Sequence, residues 1–595
     1  MSRLSGVLRQ TMISRRERSS PNNLPICHAM SRFVLVTLLF ACALAARAGA
    51  QAQAPADLVV TADRIYTVDQ SRPLVQALAV RGGRIVFAGP RLGARALTGP
   101  ATRVLDFPGR TIVPGLADAH GHLLGLGLSL REVDLTGAKS YDEVIARVVA
   151  RAKTAPPGTW IQGHGWDQNR WGDTRFPTQE ALSRAVPDHP VVLSRVDGHA
   201  LLVNARAMTL AGITRATKDP AGGGGRIVRL ADGSPSGVFV DNAQGLIDRV
   251  VPSPTRDEIK SALIAAATDA NRWGLVSVHD PGEGEQTLGV LEELARSGQL
   301  TLRVYAMISD DSAAIAHYFA RGPQSMLYDG HLSIRSIKLY ADGALGSRGA
   351  ALLDPYSDDP GNYGLLVSTP AHIRQVAVEA LKHGFQVCTH AIGDRGNRMV
   401  LDAYQAALAE IPAADPRFRI EHAQVLNFAD IPRFAELGVI PSMQSTHQTS
   451  DMYWAEQRLG GGRLYGAYAW RSLLQTGVVV PNGTDFPVEA VNPMRTFHSA
   501  ISRQDEHDWP PGGWHPEQRM TRDEALKSMT IWPAYAAFEE GDMGSLTPGK
   551  YADFVVLDQD IMRAPAEEIL GTHVVATFIG GNAVYERGPG GTPSR

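Results

Sequence analysis

The sequence predicts an α/β fold: a (β/α)8 TIM barrel joined to a composite β-sandwich built from both chain ends. Three observations predict it. Short apolar strands alternate with amphipathic helices from Thr255 onward, as in a parallel sheet wound by helical crossovers. Runs of short strands separated by turn residues occupy both ends of the chain. Histidine, lysine and aspartate recur at successive strand exits, the face on which such barrels carry their chemistry.

The N-terminal β unit covers residues 56–110. Strand patterning runs through 58–60, 65–68, 77–80 and 84–87, with Gly82-Gly83 as the hairpin turn between the last two. Residues 103–106 continue the series and lead to Val113-Pro-Gly-Leu-Ala-Asp118-Ala-His120-Gly-His122. At the other end, 541–590 contains a turn and strand from Gly544 to Asp558, then strands at 572–579 and 583–585. Strands at both ends of a long middle predict one shared sandwich; two separate caps are the alternative.

The barrel spans 111–540. Ser140-Tyr-Asp-Glu143 is a capping-box pattern that opens a helix. From about 128 to 250 no regular alternation is visible, and within it 160–169 is rich in aromatic, glycine and polar residues. This stretch reads as an insertion or lid over the barrel mouth. Thr255-Arg-Asp-Glu258 caps the next helix, with Ile259, Leu263 and Ala266 at helical spacing. Strands follow at 275–278, 302–308, 334–340, 385–389, 418–421, 439–443 and 478–481, which with the strand before His120 make eight. Thr521-Arg-Asp-Glu524 opens a last helix.

Composition narrows the function. The net charge is −3 with no basic block, which argues against nucleic acid and for a small-molecule substrate. Arg32, the apolar run 33–46 and Ala48-Gly49-Ala50 predict a secretory signal within residues 1–50, with Met30 as the expected start of translation. A genuine long n-region, a membrane anchor and lipidation at Cys42 are the alternatives. The expected protein is exported, periplasmic or secreted, with no stable membrane insertion once the leader is removed. Only Cys388 would remain after cleavage, so no intrachain disulfide is expected. The assembly, a homodimer included, is left open by the sequence.

His120 and His122 stand two apart at the end of an apolar strand, so both imidazoles reach one side and one metal ion. Later strand exits carry His279-Asp280, Lys338, Cys388 with His390, Glu421-His422, and Asn482-Gly-Thr-Asp485. Chance supplies one such residue at a strand end more readily than four histidines, a lysine and an aspartate together. These are ligands for a zinc-like divalent ion. Lys338 fits only if deprotonated or modified, because an ammonium has no lone pair; an ordinary ion pair with Asp342 is the alternative. Trp166, Asp167 and Asn169 are candidate substrate-binding residues. Core packing is the alternative for Trp166. His199 is a candidate for binding substrate or donating to its carbonyl, or a structural turn histidine. Asp394 either orients His390 or caps the helix that follows. His279 reads as structural or as a support to the ligands, and Cys388 as a packed thiol.

These motifs bring a resemblance into view. PGLADAHGH at 114–122, GWDQNRW at 165–171, DGHALLVN at 197–204, KLYADGALGSRGA at 338–350, HAIGDRG at 390–396, EHAQ at 421–424 and NGTDFPVE at 482–489 resemble the amidohydrolase superfamily. Within it they resemble amidohydrolase family 3, the YtcJ-like and N-substituted formamide deformylase-like group. The resemblance implies one or two zinc-like divalent ions. His120, His122 and Asp485 would bind the first and His390 and His422 the second, with Lys338 bridging them as a CO2-derived carbamate. It implies hydrolysis of a non-peptide carbon–nitrogen bond, amide or formamide to acid and amine, by metal-activated hydroxide, with Asp485 as proton acceptor and donor. Hydrolysis of an ester, lactone or cyclic imide on the same metals is a second reading, and a non-catalytic binding protein a third. The aromatic insertion (Trp160, Trp166, Trp171) hints at an apolar or aromatic substituent on the substrate.

Overall fold

A computed structural model of the chain describes residues 54–588 apart from Gly222. The expected signal region, with Met30, Cys27 and Cys42, lies outside the described residues.

The two ends of the described chain meet in one seven-stranded sheet. Its order is Asn582–Glu586, Val574–Ile579, Phe554–Leu557, Arg103–Pro114, Leu58–Tyr66, Leu74–Arg81 and Arg84–Gly89. The join between the ends is the antiparallel pairing of Val555 with Val113 and Val556 with Ile112. Gly82 and Gly83 make the hairpin with φ of 57° and 74°, the left-handed values that a two-residue turn of this twist requires. Phe554 and Phe578, both buried, stack in its core at 4.4 Å between ring centroids.

The strand that leads to His120 belongs to a second, parallel sheet. Along it lie Leu116–Asp118, Leu275–Glu283, Arg303–Ile308, Leu332–Tyr340, Gln386–Ala391, Arg419–His422 and Ile440–Ser442, side by side in chain order. Neighbours in chain order with helices between them are the mark of a singly wound α/β sheet. Both faces of these strands are buried, so they read as near-continuous apolar runs and not as alternating ones. The capping boxes at Thr255 and Thr521 both form, with each glutamate three residues on closing the reciprocal bond. At Ser140 only half of the box forms: its hydroxyl accepts from Glu143 N, while the Glu143 carboxylate accepts from Lys139 N.

The eighth expected strand, 478–481, is not a regular strand. Pro481 has no N–H to give a ladder. Pairing there narrows to one bridge between Met443 and Asn482. Even so, Gly483 N donates to Met443 O at 3.0 Å, and Ala119 N donates to Asn482 O at 3.2 Å. One edge of the parallel sheet is thus bonded to Gly483 and the other to its neighbour Asn482. Gly483 passes so close to the first strand that a Cβ there would sit 2.5 Å from His120 N.

The segment expected to be irregular is a sheet of its own. Its order is Gly225–Arg229, Pro235–Asp241, Ala200–Val203, Val191–Arg195, Ile161–Trp166 and Val133–Asp134. The last three pair in parallel, with helices Tyr141–Ala152 and Gln179–Ala185 in the crossovers. The alternation was hard to see because the strands are short and Gly163 and Gly165 interrupt the apolar pattern, Gly165 with φ 95°. Trp166, Trp171, Leu182 and Leu193 fill its core.

Candidate metal centre

The parallel register assembles the site layer by layer. Lys338 pairs with Cys388 and Cys388 with Arg419; one layer on, Tyr340 pairs with His390 and His390 with Glu421. His422 would leave this layer if the strand simply continued, because successive side chains point to opposite faces. Instead His422 and Ala423 take φ of 73° and 41°, and the chain turns. Glu421 and His422 thus both approach His120, Glu421 at 2.5 Å and the His422 ring at 4.9 Å between centroids. Asp485, with φ 60°, holds its Oδ1 3.2 Å from His122 Nε2 and 3.7 Å from His120 Nε2. Non-glycine residues in the left-handed region cluster at functional sites.

The ring nitrogens are oriented by side-chain oxygens. His120 Nδ1 bonds Glu421 Oε2, and His422 Nδ1 lies 2.7 Å from Gln444 Oε1. Each arrangement leaves Nε2 for a ligand. Burial, and then the Lys338 ammonium, push His120 down to about 4, and burial holds His390 and His422 well below the usual imidazole range. All three are neutral, as metal-ligating imidazoles must be. Burial opposes the charge on Asp485, yet His122 and His447 hold its carboxyl well below the usual range. Burial likewise opposes charge on Glu421, but Arg419 and His120 keep it an anion.

Lys338 Nζ sits 3.3 Å from His120 Nε2 and over the Tyr340 ring, and burial lowers its pKa. The alternative of an ion pair with Asp342 does not hold. The Asp342 carboxylate instead accepts from the backbone N–H groups of Ala351, Ile392 and Gly393.

The other expected residues divide. His390 packs on His422 at 4.6 Å and on His199 at 5.0 Å between ring centroids. Its buried Nε2 has no hydrogen-bond partner, which suits a ligand. His199 comes from the inserted sheet, with Nδ1 2.7 Å from Asp241 Oδ1. Asp167 pairs with Arg195, and both line, with His199, His390, His422 and Asp485, a cavity of about 440 Å³. Trp166 does not line it. Trp166 is 0 % exposed, packs against Trp171 and Phe176, and donates its indole N–H to Leu193 O. Asn169 anchors the insertion, donating to Gly346 O and accepting from Arg458. Asp394 accepts from Leu353 N rather than orienting His390. His279 accepts from Arg419, and Cys388 is a buried thiol that burial raises to about 12.

One residue escaped sequence reasoning. His447 lies in the helix Ser445–Asp451, five residues past the strand Ile440–Ser442, beyond the one or two positions at which a strand exit is normally read. Its Nε2 is 3.3 Å from Asp485 Oδ2 and its Nδ1 3.4 Å from Glu489 Oε1. Burial works against its charge, and these two carboxylates outweigh burial and push it up to about 10. Two groups of donor atoms result, each within 4.8 Å: His120, His122 and Asp485, and His422, His447 and Asp485. Imidazole and carboxylate donors of this kind fit a zinc-like ion.

Residues 103–585 match the family described as the amidohydrolase family. The chain belongs to the amidohydrolase family. This amidohydrolase is 34% identical over 545 residues to Protein LONG AFTER FAR-RED 3 of Arabidopsis thaliana, covering 89% of its own length and 92% of the relative's. It is 31% identical to the putative amidohydrolase YtcJ of Bacillus subtilis, covering 88% and 98% of the two chains. It is 27% identical to N-substituted formamide deformylase of Arthrobacter pascens, covering 89% and 98%. Among solved structures, an uncharacterized metal-dependent hydrolase from Pyrococcus horikoshii resembles the amidohydrolase with a TM-score of 0.69 and 28% identity, covering 86% and 99%.

Proposed function

We propose that this amidohydrolase is a metal-dependent hydrolase of non-peptide carbon–nitrogen bonds, converting an amide or formamide to an acid and an amine. The observation that carries the reading is the donor group His120, His122 and Asp485, the last of which also lines a cavity large enough for a small molecule. Likeness to a formamide deformylase over nearly the whole of both chains supports the choice of bond. In this reading the parallel sheet closes through Asn482 and Gly483 into a (β/α)8 barrel, and the terminal sheet is its β-sandwich.

His120, His122 and Asp485 would hold one ion and His422 and His390 a second. Lys338 would lie between them. Burial favours its neutral amine, which adds CO2 with loss of a proton and becomes an anionic carbamate. A divalent ion in such a site lowers the pKa of water and polarises a carbonyl oxygen. The Asp485 carboxylate, ionised at neutral pH, accepts the proton of the attacking water and passes it to the leaving nitrogen. His199 faces the same cavity; burial opposes its charge, but Asp241 outweighs burial and raises its pKa, so it donates to the substrate carbonyl oxygen.

A substrate panel tests the reading. Zinc-loaded protein is assayed with N-substituted formamides, simple amides, esters and lactones. Equimolar acid and amine from the formamides or amides, with kcat/KM above that for the esters, is expected. Turnover of esters or lactones with no amine released from any amide would overturn it.

A further inference from the structure

We propose that Asp241 is a positioning residue: its carboxylate holds the His199 ring over His390 with Nε2 turned to the cavity, and it is seated in a slot that Gly343 and Gly349 leave open. The inference rests on the function proposed above, in which His199 donates to the substrate carbonyl. It deepens that reading by naming what places the donor.

The antiparallel register brings the two residues together. Val240 pairs with Ala200, so Asp241 and His199 stand opposite each other where the strands Pro235–Asp241 and Ala200–Val203 meet. Asp241 N donates to His199 O at 3.0 Å, and Asp241 Oδ1 lies 2.7 Å from His199 Nδ1. Backbone and side chain thus grip the same histidine. Asp241 takes φ of 50°, a left-handed value that persists in a non-glycine residue only where its surroundings impose it. With Nδ1 committed to a carboxylate, Nε2 is the ring nitrogen left for the cavity that His199 lines.

The slot is built by the loop that follows the strand Leu332–Tyr340. A Cβ on Gly343 would lie 2.5 Å from Asp241 Oδ2 and 2.6 Å from Oδ1, and one on Gly349 2.5 Å from Oδ2. The Asp241 side chain is 1 % exposed, and its Oδ2 has no hydrogen-bond partner among the described residues. A buried acceptor left unpaired costs stability, and a positioning role accounts for it. The loop is in turn tied to the exit of the strand that carries His390. Ala341 N donates to His390 O at 2.8 Å, and the Asp342 carboxylate accepts from Ile392 N and Gly393 N. The contacts therefore close on themselves: His390 to the loop, the loop to Asp241, Asp241 to His199, and the His199 ring back onto His390 at 5.0 Å between centroids.

The test compares zinc-loaded whole protein as wild type, Asp241→Ala, His199→Ala, the double variant and Gly343→Ala, with thermal melts to show that each is folded. Amine release from an N-substituted formamide gives kcat and KM, and crystal structures of wild type, Asp241→Ala and Gly343→Ala give the place of the His199 ring. Asp241→Ala should lower kcat at least about tenfold with KM within about threefold, and the ring should leave its place over His390. Gly343→Ala removes no polar group and should do the same by taking the space of the carboxylate. The double variant should match His199→Ala within about twofold, because Asp241 acts through that ring. An equal loss from Asp241→Ala with and without His199, or a His199 ring that stays in place in both variant structures, would overturn the assignment. Wild type that hydrolyses no amide would overturn the proposed function instead, and the place of the ring would still decide the role of Asp241.

Discussion

Glu421 Oε2 lies 2.5 Å from His120 Nδ1, with both side chains fully buried. The contact fixes the imidazole tautomer. With its proton on Nδ1 and directed at a carboxylate, His120 keeps the Nε2 lone pair for a ligand. Arg419 keeps the carboxylate ionised, with Nε 2.7 Å from Glu421 Oε1 and Nη2 3.0 Å from Oε2. The guanidinium also donates from Nη2 to Ala119 O and Ser442 Oγ and from Nη1 to His279 Nδ1. These bonds offset part of the cost of burying the charge pair.

Glu421→Gln removes the charge but keeps the shape. Affinity for the ion at His120 should fall by about 10–100-fold. Competition with a chelator measures it. Unchanged affinity would show that Glu421 stabilises the sheet and not the metal site.

Lys338→Ala should lower the metal content of the purified protein from two ions per chain towards one, with bicarbonate present during reconstitution. Elemental analysis of wild type and variant in parallel gives the answer. Equal content in both would remove Lys338 from the ligand set, and only its packing beside His120 Nε2 and Tyr340 would remain.

The depressed pKa of His120 predicts a pH dependence. In the unfolded chain it takes up a proton near its ordinary value; in the folded, metal-free protein burial and Lys338 delay that to about 4. The unfolded state binds more protons between these values, so the stabilisation is fully present above about pH 6.5 and is lost as pH falls through 4. Its size is roughly 3 kcal/mol at about 1.4 kcal/mol per pH unit. The difference in unfolding free energy between metal-free wild type and His120→Asn, measured in urea from pH 7 to pH 4, isolates the group. The wild-type advantage should shrink with acid; an advantage that grows would mean that the imidazole is charged in the fold.

Trp166→Ala should cost about 3–5 kcal/mol, since it opens a cavity in the core of the inserted sheet. Trp166→Phe should cost less and leave KM unchanged, because the ring touches Trp171 and Phe176 and lines no part of the cavity. A raised KM in Trp166→Phe at unchanged stability would return Trp166 to the substrate pocket.

How much of this was legible in the sequence depends on where each signal sits. His120, His122, Lys338, His390, His422 and Asp485 stand out as candidates in the sequence because each ends or lies near the end of an apolar strand, and strand exits share one face. The seven parallel strands were found because both their faces are buried, which leaves dense apolar runs. The inserted sheet was missed because its strands are short and glycine-broken, so neither period stood out over a full window. His447 was missed because it sits on a helix past its strand and reaches Asp485 only through the fold. Trp166 looked like a pocket residue because its neighbours are polar and glycine-rich. Its burial comes from Trp171 and from the strand Val191–Arg195, a pairing that local sequence does not encode.

The most direct measurement is amine release from an N-substituted formamide by one preparation, taken as purified, after chelator stripping, and after reloading with zinc and bicarbonate. The metal-dependent carbon–nitrogen hydrolase predicted from His120, His122 and Asp485 releases amine and formate in equal amounts, stops when stripped, and recovers on reloading. Amine release that continues at full rate in protein shown by elemental analysis to be metal-free would contradict it.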